Sequence, residues 1–140
     1  MRYLLIFLLG FPAFVSSAQD EPFALPFVAR EPEYDIAPRF PGGSDAMMAY
    51  FTDSVRYPEP ELGQRKGGHV LVTFTVNRKG HVADARVVNG VAGAPNLATE
   101  AMRLLYAMPT WHPATKKGKR VDSTVHLSIP FIPRKGSRYR

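Results

Sequence analysis

From Ser44 onward the apolar positions of this chain fall into two alternating spacings, close to four and close to two. Met47, Phe51 and Val55 recur every four residues, with Met48 beside them, the interval at which side chains share one face of a helix. Ser44 precedes them as the expected N-cap, and Asp45 lies in the first turn, where its charge favours the helix dipole. Tyr57-Pro58-Glu59-Pro60 is expected to end that helix, since proline removes an amide donor and clashes with the preceding turn. After Gly67-Gly68 the period falls to two. Val70, Val72, Phe74 and Val76 alternate with His69, Leu71, Thr73 and Thr75, which predicts a strand with one well-buried face. Asn77-Arg78-Lys79-Gly80 is a hairpin signal, with Gly80 free to take a positive φ.

A second strand is expected over Val82–Asn89, although its inward face stays open. Ala83, Ala85 and Val87 fit one face, while Val82 and Val88 fall on the other. Gly90 to Pro95 is a loop, and Asn96 is the expected cap of a second helix. Its apolar positions Leu97, Ala101, Leu104, Leu105 and Met108 fit one helical face, and Pro109 ends it. The alternation returns in Val121, Ser123, Val125, Leu127, Ile129 and Phe131, against Asp122, Thr124, His126, Ser128 and Pro130. The order is helix, strand, strand, helix, strand. The simplest packing is a two-layer α+β fold, a three-stranded antiparallel sheet with both helices on its apolar face. Pro130 cannot donate to a ladder, so the last strand is expected at an edge.

The segments outside this pattern divide the chain further. Arg2, the unbroken apolar run Tyr3–Val15 and the small residues Ser16-Ser17-Ala18 have the three parts of a cleavable secretory signal over residues 1–18. The run has 13 residues and contains Gly10 and Pro12, short of the ~20 that a spanning helix needs. Residues 19–41 read as an acidic, proline-rich linker, with Phe23, Leu25, Phe27, Tyr34 and Ile36 apolar enough for part of it to lie across the domain surface. The folded domain is expected over residues 42–132 and a basic tail over 133–140.

Composition narrows the chemistry. The 140 residues carry 18 Lys+Arg against 12 Asp+Glu, a formal +6, and no cysteine. Disulfides, thiolate metal sites and a cysteine nucleophile are thereby excluded. None of the serines sits in a Gly-X-Ser-X-Gly elbow, and Gly67-Gly68 leads into a strand rather than from a strand into a helix, so no phosphate loop is present. Glu59 and Glu61, in a proline-rich turn, are expected to be exposed, ordinary acids. The four histidines, His69, His81, His112 and His126, have no local ligand spacing; only His69 and His126 share a strand face. No catalytic residue, cofactor or metal is expected, and no nucleic acid, because the basic residues lack an aromatic-interleaved face.

In order and spacing, seven short motifs resemble the TonB C-terminal domain: Phe40-Pro41-Gly42-Gly43; Tyr57-Pro58; Gly68-His69-Val70-Leu71-Val72-Thr73-Phe74-Thr75-Val76; Gly80-His81-Val82; Glu100-Ala101-Met102-Arg103; Met108-Pro109-Thr110-Trp111-His112-Pro113; and Gly118-Lys119-Arg120-Val121. The resemblance spans residues 40–132. It implies a non-enzymatic, periplasmic binding module in TonB-dependent transport across the outer membrane, whose partner is an extended periplasmic peptide segment of an outer-membrane receptor or other envelope protein. Such a peptide adds as a strand to the sheet's edge, which corresponds here to Arg120, Val121, Asp122, Ser123, Thr124, Val125 and His126.

Tyr57, Pro58 and Trp111 are secondary candidates for partner contact, weighed against chain reversal for the first two and corner packing for the tryptophan. Lys116, Lys117 and Lys119 are candidates for an anionic surface, peptidoglycan or lipid, weighed against a solvated turn. Glu100 and Arg103 are read chiefly as an exposed i, i+3 pair, although the resemblance implies a structural role. Two alternatives stay open: a membrane-tethered energy transducer with an uncleaved N-terminus, and an envelope assembly factor. A strand-exchanged homodimer is a further outcome for an open edge.

Overall fold

The computed structural model describes residues 34–134. The expected signal peptide, linker residues 19–33 and the tail beyond 134 lie outside the described residues. The elements run α1 (Gly43–Ser54), α2 (Glu59–Gly63), β1 (Gly68–Val76), β2 (Val82–Asn89), α3 (Pro95–Tyr106), β3 (Ala114–Lys116), β4 (Lys119–Val121) and β5 (Ser123–Phe131). Among these residues no helix is long and apolar enough to cross a membrane.

The main sheet is antiparallel with strand order β2-β1-β5. Strand β1 is central, and its alternation holds: Val70, Val72, Phe74 and Val76 are buried while His69 and Leu71 are exposed. Leu97, Ala101, Leu104 and Leu105 of α3 and Phe51 of α1 pack on the buried face, joined by Ile129 and Phe131 of β5. Burying each large side chain contributes about 1.5–3 kcal/mol. The expected α+β arrangement, three antiparallel strands with α1 and α3 on one face, is what the chain adopts.

The face that the sequence left open on β2 follows from two bulges. Thr75 pairs with Ala83 but Thr73 with Arg86, and Val72 pairs with Val87 but Leu71 with Asn89. Each step inserts one extra β2 residue, which reverses the side-chain parity. Val82, Ala85 and Val87 therefore all reach the core, despite an odd spacing between the first two. Asp84 sits inside the first bulge with φ 49°, and Val88 is turned outward at the second.

Other expectations change with the tertiary structure. The final strand does not start at Val121. The chain first forms a small hairpin in which Ala114 pairs with Val121, Thr115 with Arg120 and Lys116 with Lys119. Its two-residue turn, Lys117-Gly118, has φ 50° and 74°, the primed geometry that suits strand twist.

Ser44 is not the N-cap of α1. Gly42 holds that position at φ 85°, without a side-chain cap bond. Nor does Asn96 cap α3, which begins at Pro95. Instead the Asn96 backbone N–H and side-chain amide donate to the Glu61 carboxylate at 3.2 and 3.3 Å. Glu61 lies on α2, a short helix where only a chain-reversing turn was expected, and is 3% exposed. Its buried carboxylate thus serves the start of α3 from another element, where a negative charge is favoured.

Glu100 and Arg103 are likewise more than an exposed pair. Glu100 is buried and accepts from Arg103 Nε and Nη2 at 2.8 and 2.6 Å, and from the Arg56 N–H at 2.6 Å. Arg103 also donates to the Ser54 carbonyl at 2.8 Å. The pair therefore closes the last turn of α1 and ties it to α3, satisfying groups that a helix terminus leaves open.

Trp111 sits in the corner between α3 and the small hairpin, edge-on to both Phe40 and Phe74 with centroids 5.6 Å away. The Trp111 backbone N–H donates to the Gly80 carbonyl at 2.8 Å. A Cβ at Gly80 would lie 2.1 Å from the Trp111 carbonyl oxygen, so this approach, together with φ 83°, requires glycine.

Candidate functional site

The sheet has two outer strands, and they differ. β5 pairs with β1 through nine successive partners, from Gly68–Phe131 to Val76–Ser123, without a shift. No described strand pairs with its other side. β2, at the opposite edge, is broken by its two bulges, a common means of blunting an edge against further pairing. A regular, unpaired edge is therefore found on β5 alone of the two. Pro130 lies on it opposite His69, at a position where a missing N–H is tolerated.

The described end of the linker does not cover that edge. Ile36 and Arg39 form antiparallel bridges with Thr115 and His112, and the Asp35 carboxylate accepts from the Lys117 N–H at 2.6 Å. Residues 35–39 follow the small hairpin instead.

Of the edge residues expected from sequence, Ser123, Thr124, Val125 and His126 stand together on β5, opposite Val76, Thr75, Phe74 and Thr73. Thr124 and His126 are exposed, Val125 is half-buried and Ser123 is buried. Arg120 and Val121 belong to β4 and are paired with β3. Asp122 joins the two ladders and accepts from the Arg78 N–H at 2.9 Å. The open edge also continues through Leu127–Phe131, which the sequence reading left out.

Beside the far end of β5 lies a groove of ≈ 130 Å³. Met48, Phe51, Thr52 and Val55 of α1 form one wall, and Pro130, Phe131 and Ile132 form the other. Tyr57 and Arg134 complete it. Tyr57 is 5% exposed and donates to the Lys66 carbonyl at 2.5 Å. Burial, reinforced by the negative charge of Glu61, pushes its phenol above the ordinary value of 10.0, so it stays a neutral donor at physiological pH. Pro58, the N-cap of α2, is half-buried beside it. Trp111, at 6% exposure, is held within the core and contributes no ring to this groove.

Met48, Thr52, Ile132 and Arg134 line this groove but are not among the candidates expected from the sequence. The available signal was the 48/51/52/55 spacing, one helical face wider than the stripe needed for the core.

Lys116, Lys117 and Lys119 are exposed on the small hairpin, with Lys116 and Lys119 directly opposite one another. His69 and His126 share the outer sheet face but are not partners: His69 Nδ1 is 3.1 Å from Ser128 Oγ, and His126 faces Thr73. Among the described residues no three histidines or carboxylates converge as a metal site.

Comparison with known proteins gives a family. The model of the Gram-negative bacterial TonB protein C-terminal region matches residues 53–133, more than half of the chain. No curated protein matches it. Two solution structures of the Helicobacter pylori TonB C-terminal domain are similar, each at 22% identity and a TM-score of 0.44. One comparison covers 65% of this chain and 94% of that domain, the other 68% and 88%.

Proposed function

This chain belongs to the Gram-negative TonB C-terminal family, and from that premise we propose that it is a periplasmic protein-binding module that captures an extended segment of an outer-membrane receptor by strand addition to β5. Membership of the family implies a TonB-related role in envelope transport and a protein-interaction module rather than an enzyme. The finer reading is supported by one observation above all: β5 offers a regular, unpaired edge, whereas the competing edge is bulged.

Alternate residues of such a strand aim their backbone groups away from the sheet. The parity of Pro130 assigns that orientation to Thr124, His126 and Ser128. About five backbone hydrogen bonds at roughly 1 kcal/mol net contribute about 5 kcal/mol. Association costs at least about 4 kcal/mol. Backbone pairing alone therefore gives weak, transient capture, and side-chain contacts must supply the rest.

The test uses receptor peptides N-methylated at alternate backbone positions. Methylation of the residues that face β5 is expected to abolish binding, and methylation of the intervening ones to leave it intact. Equal effects from both sets would reject strand addition.

A second reading is favoured by the lysine hairpin. Like charges placed directly opposite each other on paired strands cost stability, so Lys116 and Lys119 are suited to an anionic surface such as peptidoglycan or acidic lipid. Binding to envelope fractions that is unaffected by salt and by neutralising Lys116, Lys117 and Lys119 would remove this reading.

A further inference from the structure

We propose that the groove between α1 and the carboxyl end of β5 is a specificity pocket for the guest strand, taking one large aliphatic or aromatic side chain from a peptide that carries a carboxylate on the Arg134 side of that anchor. This inference rests on the strand-addition reading and names the class of peptide that the edge selects.

A strand added to β5 would lie about 4.8 Å beyond it, with alternate side chains turned to the same face as Ile129 and Phe131. At the carboxyl end of β5, Met48, Phe51, Thr52 and Val55 of α1 line a groove together with Pro130, Phe131 and Ile132. Phe51 belongs to the core, but Met48, one turn before it, is 46% exposed, and across the groove Ile132 is 62% exposed. Two large apolar side chains thus flank a cleft that the chain's described residues leave unfilled, at the edge where a guest's inward side chains arrive.

The volume of ≈ 130 Å³ is close to the roughly 150 Å³ that accommodates a benzene-sized group. One anchor side chain fits, two do not. Arg134 also lines this cleft, is exposed, and forms no ion pair among the described residues. An exposed guanidinium at the mouth of an apolar slot recognises a carboxylate.

The experiment titrates the full isotope-labelled chain with short blocked peptides in which leucine alternates with threonine, ending in aspartate at either terminus. Controls replace leucine with alanine and aspartate with asparagine. Amide shifts are expected both along β5 and at Met48, Thr52 and Val55, with the leucine peptide binding about tenfold more tightly than the alanine one. The aspartate should add about threefold at one terminus only, and Arg134→Glu should remove that preference. Thr52 is exposed, so Thr52→Trp fills the groove from outside the core and is expected to erase the leucine advantage. Met48→Glu provides a second, independent block.

Shifts along β5 with leucine and alanine peptides binding equally would overturn the pocket and leave strand addition standing. Shifts at α1 without a response in β5 would reject strand addition, and with it this inference. No shift in either element overturns both.

Discussion

The two edges of the main sheet flank the same central strand, yet only one keeps an unbroken backbone repeat. β2 and β5 both flank β1, and both send apolar side chains to the core. β2 takes up two extra residues, holds Asp84 at φ 49° and turns Val88 outward. β5 takes up none and keeps nine pairs in register. An edge becomes a binding site when nothing interrupts its repeat of donors and acceptors. A single inserted residue is enough to interrupt it. The helices reinforce the contrast: α3 buries Leu97, Ala101, Leu104 and Leu105 in the core, while α1 lines a groove beside the end of β5.

The largest expected effect removes the floor that both edges share. Phe74 is 1% exposed at the middle of β1, and Phe74→Ala should cost about 3–5 kcal/mol, seen as a lowered urea midpoint with protection lost equally in β2 and β5. Glu100→Ala is more selective. It strips the Arg56 N–H and Arg103 of their acceptor at the end of α1. Arg103 keeps 34% of its side chain in solvent, so the cost should be about 2–3 kcal/mol rather than that of a fully buried pair. Hydrogen exchange should show protection lost in α1 before β2. Equal loss on both sides would mean that the two edges are not separately supported.

Smaller effects probe the β5 side through its tyrosines. Tyr57→Phe removes the bond to the Lys66 carbonyl and should cost about 1 kcal/mol. Burial raises the phenols of both Tyr50 and Tyr57 above 10.0. A pKa raised in the folded state gives stability that is complete below the unfolded value and lost as pH climbs through the folded one. Stability should therefore hold up to about pH 10 and fall beyond it, and the double change to Phe should flatten that alkaline loss in urea melts. The smallest thermodynamic change is expected from deleting Asp84. It removes one bulge while keeping Val82 and Ala85 on the same face, so stability should shift by about 1 kcal/mol or less. With one of its two bulges gone, the β2 edge should then show concentration-dependent self-association in sedimentation velocity. A deletion variant that stays monomeric would argue that bulging is not what protects that edge.

Much of this was legible in the chain. The four-residue spacing of Met47, Phe51 and Val55 marked α1, and the alternation of Val70 to Val76 marked the central strand. Pro130 marked an edge, as an absent donor must. The helix caps were not legible. Ser44 and Asn96 had suitable side chains, but Gly42 and Ala94 occupy the cap positions, and Glu61 reaches α3 from another element. Glu61 and Glu100 look like surface acids in sequence because burial of a carboxylate depends on partners 35 and 44 residues away. The bulges of β2 were visible only as a parity conflict between Val82 and Ala85. Their positions are set by pairing against β1, which no local pattern encodes.

The sequence by itself determined the order of the main elements α1, β1, β2, α3 and β5, the two layers and the buried face of the central strand, because local periodicity fixes which side chains share a face. Only the tertiary structure decided which edge stays regular, where the last strand begins and that α1 and its end share a groove. Those outcomes depend on register and on helix placement, and both arise from contacts between residues far apart in the chain.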